Sequence, residues 1–226
     1  MVEITLPSSG MVVRPSKLLC IGQNYAKHAA EMKSAVPEEP VIFLKPSTAL
    51  VGHGGKVVLP PASADVHHEV ELVVAIGRGG KNIAAAEALE YVDGYGVGLD
   101  MTARDLQGRA KQNGMPWAVA KGFDTFAPLG AFAPAHKVRD PQGLDIRLTV
   151  NGELRQKGHT GDMIFPVAYL IAYASRIFTL LPGDLIFTGT PEGVGPVQDG
   201  DVLEAAITGL PALRVKVRRE AEKTAA

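Results

Sequence analysis

Apolar positions in this chain come in short, dense runs broken by turn residues, a pattern that predicts strands more often than helices. Residues 18–21 (Leu-Leu-Cys-Ile) and 41–44 (Val-Ile-Phe-Leu) read as two strands of continuous apolar character. Between them Asn24 is placed to cap a short helix that carries His28 and Glu31 and ends before Pro37. Residues 69–76 (Glu-Val-Glu-Leu-Val-Val-Ala-Ile) form a strand. Val70, Leu72, Val74 and Ile76 line one of its faces, and Glu69, Glu71, Val73 and Ala75 share the other. Both faces are apolar beyond the first residues, so the strand is expected to be buried on both sides. Helix signals follow over 84–89, then a strand over 94–99. Thr102-Ala-Arg-Asp105 resembles a capping box and predicts a helix that Asn113-Gly114 stops.

The last third is predominantly β. Strands at 146–150 and 153–156 flank Asn151-Gly152, the sequence of a two-residue type I′ hairpin. An apolar helix is predicted over 167–178. Pro182-Gly-Asp184 turns the chain into a strand at 185–188, and further strands are expected at 202–207 and 213–217. The 25 glycines and 16 prolines supply the many turns that a sheet-rich fold requires. Regular helices do not separate the strands, which argues against a doubly wound parallel sheet. The expected class is α+β, dominated by mixed or antiparallel sheet, in a single domain over residues 1–226.

Composition narrows the class more than the chemistry. The chain has 226 residues, 46% hydrophobic and 21% charged, the balance of a globular protein with a sizeable core. A net charge of -1 and only short basic runs exclude a nucleic-acid footprint. The single cysteine, Cys20, excludes an internal disulfide framework and fits a reducing compartment. The first residues lack a signal peptide's basic start and apolar core, and no apolar run approaches the ~18 residues of a membrane span. The expectation is a cytoplasmic protein with no nucleic-acid or membrane partner.

Glu69 and Glu71 carry the first chemical signal. Two carboxylates on one face of a burying strand can protonate, pair with Lys or Arg, or bind a metal. The alternative is a strand emerging into solvent. Asp100 shifts the balance, because it ends the strand Gly94-Tyr-Gly-Val-Gly-Leu, whose three glycines permit a close approach to the backbone. Asp100 also stands beside the start of a helix. Three hard oxygen donors without a supporting cysteine favour Mg2+ or Mn2+ over zinc. His67 and His68 precede Glu69, but Leu72 stands where a zinc protease motif needs its second histidine. Those histidines either support the glutamates or are structural.

Arg104, Gln107 and Lys111 share one face of the helix after Asp100. Lys111 is read as solvated, whereas Arg104 and Gln107 are candidates for holding an anionic substrate. His28 and Glu31 lie three apart, so the glutamate can orient the imidazole. Lys121 lies between Trp117 and Phe123, a setting for a partly buried ammonium. Thr188-Gly-Thr-Pro191 offers hydroxyls and free N–H groups to a carboxylate, and no stretch fits a nucleotide fingerprint.

These residues fall in segments that resemble the fumarylacetoacetate hydrolase family. The segments are C-I-G-Q-N-Y-A-K-H at 20–28, F-L-K-P-S-T at 43–48, H-H-E-V-E-L at 67–72, G-L-D-M-T-A-R-D-L-Q at 98–107, A-K-G-F-D at 120–124 and T-G-T-P-E-G-V-G-P at 188–196. The likeness spans roughly residues 18–217 and is nearest to the short single-domain acylpyruvases and oxaloacetate decarboxylases. Larger members carry an additional N-terminal domain, which this chain is too short to include. The resemblance implies a β-roll or sandwich-like catalytic domain, a homodimer, and Mg2+ or Mn2+ on Glu69, Glu71 and Asp100. It implies a water-activating pair in His28 and Glu31, stabilisation of negative charge by Lys121, and substrate binding by Arg104, Gln107 and Thr190. For the dimer, the apolar strands at 185–187 and 202–207 suggest a sheet-rich interface.

Two positions depart from the family pattern. Ile21 stands where fumarylacetoacetate-cleaving members place a fourth carboxylate ligand, which argues against that substrate. Gln23 replaces an arginine common among acylpyruvases, so anion binding there loses a fixed charge. The implied function is a metal-dependent hydrolase that cleaves acylpyruvates to pyruvate and a carboxylic acid, with oxaloacetate decarboxylation through the same pyruvate enolate. The alternatives are an isomerase or decarboxylase of 2-hydroxyhepta-2,4-dienedioate-type intermediates, an oxaloacetate tautomerase, and a metal-stabilised binding module with no catalytic role.

Overall fold

The computed structural model describes residues 2–220 and gathers the strands into two principal mixed sheets that share one large core. The larger sheet contains, in chain order, β1 (Leu18–Gly22), β2 (Val41–Lys45), β3 (Leu50–Gly52), β4 (Val70–Ile76), β5 (Val92–Leu99), β6 (Ala127–Leu129) and β7 (Leu185–Phe187). Their spatial order is β2-β1-β7-β4-β5-β6-β3, with the short strand Ala133–Pro134 also pairing with β5. The second sheet orders five strands as Glu153–His159, Asp145–Val150, Val202–Ile207, Leu213–Arg219 and Lys56–Leu59. The helices are few: α1 (Ala26–Glu31), α2 (Arg104–Gln112), α3 (Ala118–Lys121) and α4 (Val167–Ile177). The α+β, sheet-dominated class expected from the sequence is the one observed.

Strand β4 shows why the register is unique. Val70, Leu72, Val74 and Ile76 enter the large core with Ile146, Leu148, Leu203 and α4 residues such as Leu170 and Ile171. Val73 and Ala75 enter a smaller core with Leu18, Cys20, Leu185 and Phe187. Each buried Val, Leu or Ile contributes about 1.5–3 kcal/mol, and a one-residue slip would exchange the two sets and move both acids to the wrong face. Glu71 therefore lies on the face of Val73 and Ala75, as the two-residue period predicts. The glycines of β5 admit the protein's own side chains. A Cβ on Gly98 would lie 2.5 Å from Val73 and 2.7 Å from Phe187, and one on Gly96 would lie 2.9 Å from Phe132.

The hairpin at Asn151-Gly152 forms as expected, with φ of 53° and 84° at its two central residues. Several local expectations fail for tertiary reasons. Asn24 does not cap α1, whose N-cap is Tyr25. The Asn24 amide instead donates to the carbonyls of Phe165 (3.0 Å) and Thr188 (2.8 Å) and accepts from the Phe165 N–H (2.8 Å). Thr102 belongs to a short strand, and α2 starts at Arg104 without a side-chain cap. Its supposed box partner, Asp105, accepts from Ser63 Oγ (2.6 Å). The helix expected over 84–89 is only a 3-10 turn, Ala88–Tyr91, because Ile83 and Ala88 are its only buried anchors and one apolar stripe is missing. Finally, Leu185–Phe187 lies between β1 and β4, and Val202–Ile207 lies between two strands of the second sheet. Neither offers a free edge, so a partner could not extend a sheet by pairing with either strand.

Candidate active site

Three acids reach one point from two adjacent strands. Glu69 occupies the single-residue gap between the strand Val66–His68 and β4, Glu71 is second in β4 opposite Gly98, and Asp100 directly follows β5. The Asp100 N–H donates to the Glu69 carbonyl at 2.8 Å and ties the two strand ends together. Each acid offers a carboxylate oxygen within 4.8 Å of the others, and none is more than 4% exposed.

Buried anions this close need compensating cations. Lys121, at the end of α3, donates to Glu69 Oε2 at 2.8 Å and to Asp100 Oδ2 at 2.6 Å. Arg104, the first residue of α2, donates to Glu69 Oε1 at 2.5 Å and to Gln107 Oε1 at 2.8 Å. Lys45, at the end of β2, is fully buried. Its ammonium donates to the carbonyls of Met101 (2.9 Å), Lys121 (2.6 Å) and Phe126 (2.7 Å). Those three bonds use all its protons. Asp100 Oδ1 lies 2.7 Å from the same nitrogen, yet it is left without a hydrogen bond.

The titration behaviour follows from this arrangement. Burial drives the pKa of Glu69 upward, but the charges of Lys121 and Arg104 prevail and hold it well below the usual carboxylate range. Burial, followed by the charges of Asp100 and Glu69, pushes Glu71 well above that range. The Gly189 N–H, 2.8 Å from Glu71 Oε2, and Lys121 only partly oppose the rise. Burial pulls Lys121 down, while Asp100 and Glu69 keep it above the usual lysine value. Hard oxygen donors, an acid forced toward its neutral form and the unused lone pairs of Asp100 Oδ1 fit a divalent cation such as Mg2+ or Mn2+.

Next to the acids stands an imidazole. His28 Nδ1 lies 3.1 Å from Glu31 Oε2, and Glu31 Oε1 accepts from the Gly193 N–H at 3.0 Å. A carboxylate can only accept, so Nδ1 carries a proton, and in the neutral tautomer this leaves Nε2 as the acceptor. The loop that supplies Gly193 is fastened at three successive residues. Thr188 Oγ1 donates to the Leu72 carbonyl (2.9 Å), the Gly189 N–H donates to Glu71, and Thr190 Oγ1 accepts from Gln156 Nε2 (2.8 Å). Gly189 has φ of 96°, and a Cβ there would meet that of Asn24 at 2.7 Å, so only glycine fits.

Every catalytic, metal or substrate candidate singled out from the sequence lines one narrow cavity, except Glu31 and Asp100, which meet it through His28 and Lys121. Gln23 lines it in a left-handed conformation with φ of 59°. Lys111 is exposed, as read from the sequence, and its ammonium lies 5.3 Å from the Trp117 ring centre at the mouth of the same cavity. His67 pairs with Asp65 (2.9 Å) and His68 with Gln156 (3.0 Å), so neither hydrogen-bonds to the glutamates. Sequence reasoning missed Lys45 and Gln156. A lysine closing the apolar run Val-Ile-Phe-Leu was a signal for Lys45, whereas nothing local marks Gln156.

Comparison with known proteins agrees with this geometry. The family model for the fumarylacetoacetate hydrolase C-terminal domain matches residues 17–218. The chain is 51% identical over 209 residues to the mitochondrial oxaloacetate tautomerase of Arabidopsis thaliana, covering 92% of this chain and 94% of that protein. It is 49% identical over 202 residues to the Homo sapiens protein of the same name, covering 89% and 91%. Among solved structures, a fumarylpyruvate hydrolase from Pseudomonas aeruginosa in complex with Mn2+ and pyruvate superposes with a TM-score of 0.92 at 44% identity, covering 97% of this chain and 96% of that one. A 5-carboxymethyl-2-hydroxymuconate delta-isomerase from Mycobacterium smegmatis gives a TM-score of 0.83 at 43% identity, covering 93% and 82%.

Proposed function

We propose, from the premise that this chain belongs to the fumarylacetoacetate hydrolase family, that it is a divalent-metal enzyme acting on small 2-oxo acids. Keto–enol interconversion of oxaloacetate is the first reading, and C–C cleavage of acylpyruvates is the second. The single observation that carries the proposal is the His28–Glu31–Gly193 hydrogen-bond chain beside the cavity lined by Glu69 and Glu71, which cluster with Asp100. Relatives named oxaloacetate tautomerase, at about half identity over nine-tenths of the chain, move that reaction ahead of the hydrolysis that the sequence alone placed first. The fumarylpyruvate hydrolase structure favours the second reading.

When bound on Glu69, Glu71 and Asp100, the cation supplies a Lewis acid for the 2-oxo group. The chain's own residues do the rest. Arg104 and Thr190 hold the carboxylate and 2-oxo end of the substrate. His28 Nε2 takes a proton from C3 of oxaloacetate, leaving the enolate, and returns that proton to the C2 oxygen to complete the enol. Lys121 faces the negative charge that develops during the transfer. In an acylpyruvate the same nitrogen takes its proton from water instead. The oxygen of that water bonds to C4, the C3–C4 bond breaks, and a carboxylic acid leaves with the enolate of pyruvate, which is protonated at C3. Loss of carbon dioxide from oxaloacetate yields that enolate without water or base. A homodimer and a cytoplasmic location complete the proposal, and light scattering at 23.9 kDa would contradict the dimer.

The test is a Mn2+-saturated panel of keto- and enol-oxaloacetate, acetylpyruvate and fumarylpyruvate, run on wild type and His28→Ala. Tautomerisation and acylpyruvate cleavage are expected to fall by about two to four orders of magnitude while decarboxylation is largely retained. Equal loss in all three at unchanged metal content would remove the base role from His28. No turnover of any panel member would remove the 2-oxo acid reading.

A further inference from the structure

Gln156 lies fully buried in the strand Glu153–His159, and two main-chain groups settle which way its amide points. The Val70 N–H can only donate and lies 3.0 Å from Oε1, while the Pro191 carbonyl can only accept and lies 2.9 Å from Nε2. A flipped amide would set donor against donor and acceptor against acceptor. The roles of its other two partners follow. His68 Nδ1, 3.0 Å from Oε1, carries its proton, and Thr190 Oγ1, 2.8 Å from Nε2, accepts. A hydroxyl that accepts from an amide turns its own single proton away from that amide. Thr190 is 2% exposed and lines the cavity together with Glu71.

We infer that Gln156 is a positioning residue that fixes the Thr190 hydroxyl as a one-way hydrogen-bond donor to an anionic oxygen of the bound acid. This rests on the 2-oxo acid reading above. The arrangement also carries chemical selectivity. A carboxylate or enolate oxygen, which only accepts, is matched by the Thr190 proton, whereas a group presenting its own hydrogen finds only the one lone pair that the Gln156 amide leaves free. Because Gln156 also binds the N–H of Val70, between Glu69 and Glu71, one side chain ties the Thr190 oxygen to the strand that bears the acids.

The probe is oxalate, an acceptor-only analogue of a 2-oxo acid, titrated by calorimetry into the Mn2+-loaded protein. Thr190→Val is expected to weaken oxalate on the order of ten- to hundredfold, as loss of a hydrogen bond to a charged group does, while Thr190→Ser keeps wild-type affinity. Gln156→Glu is expected to weaken it similarly, because an ionised side chain accepts the Thr190 proton and turns it from the ligand. The double variant Thr190→Val, Gln156→Glu should be no weaker than either single variant. Mn2+ stoichiometry and melting temperature are recorded for each protein. If Gln156→Glu does not fold, Gln156→Met takes its place and frees the hydroxyl, with a severalfold loss expected. Wild-type affinity in a folded Gln156 variant, or losses that multiply in the double variant, would overturn the inference and leave the 2-oxo acid reading standing. Wild type that holds Mn2+ but binds no oxalate would overturn both.

Discussion

On one side of Glu71 the cavity and the groups behind it are built from charge: Lys121 and Arg104 at the wall and Lys45 behind them, against Glu69 and Asp100, with contacts of 2.5–2.8 Å. On the other side it is built from neutral groups: the Thr190 hydroxyl at the wall, backed by the Gln156 amide, the Gly189 N–H and the His68 imidazole, at 2.8–3.0 Å. The distances are alike, yet the two walls differ in what they depend on. Two unit charges 4 Å apart interact by about 4 kcal/mol at an effective dielectric constant of 20, so a new charge among them redistributes the whole wall. A neutral hydrogen bond nets about 0.5–1.5 kcal/mol, and it keeps its geometry whatever occupies the cavity. The first wall is suited to hold a cation and answer developing charge, and the second to present a fixed donor.

The largest expected effect lies on the charged wall. Asp100→Ala should lose both Mn2+ binding, read by electron paramagnetic resonance, and all detectable turnover. A variant that still binds Mn2+ as wild type does would end the assignment of Asp100 as a ligand. Next comes Lys45→Met, which leaves three carbonyls and Asp100 around an uncharged side chain. Breaking a buried charge cluster on one side costs about 3–5 kcal/mol, to be checked by urea denaturation. A loss below ~1 kcal/mol would mean that Lys45 is not what holds the segment between Met101 and Phe126.

The smallest expected effect separates the walls by pH. Burial, with help from His67, lowers the pKa of His68, and the Gln156 hydrogen bond only partly offsets it. A histidine with a depressed folded pKa contributes stability above its unfolded value of about 6.5, and that contribution is lost as pH falls. Glu69, also depressed, keeps its contribution down to about pH 4.3 and loses it below. Stability should therefore be lost on acidification in two windows, the first shared with His67, whose pKa burial also lowers, and opposed by the raised Glu71. The His68 share of the first has a slope of at most about 1.4 kcal/mol per pH unit for its single proton. In His68→Gln the loss of stability on acidification below about pH 6.5 should shrink by that slope while the loss below about pH 4.3 remains, and an unchanged first loss would show that His68 does not contribute to it.

Much of the site is legible in the order of residues alone. The two-residue period of residues 69–76 places Glu69 and Glu71 on one face, because alternation along a strand is a local property of the backbone. Three-residue spacing brings His28 to Glu31 and Arg104 to Gln107 for the same kind of reason, since neighbours on a helix are set by its pitch. Lys45 and Gln156 are not legible in this way. Lys45 meets partners 56, 76 and 81 residues away, and Gln156 meets partners 34, 35, 86 and 88 residues away. Asn24 and Thr102 mislead for a related reason: each can form a local cap, yet tertiary hydrogen bonds or strand pairing claim it first. Sequence by itself determined which faces are buried, where the acids cluster and which family the motifs resemble. Only the tertiary structure decided which cations answer those acids and which amide orients Thr190, because long-range partners are chosen by how the sheets pack.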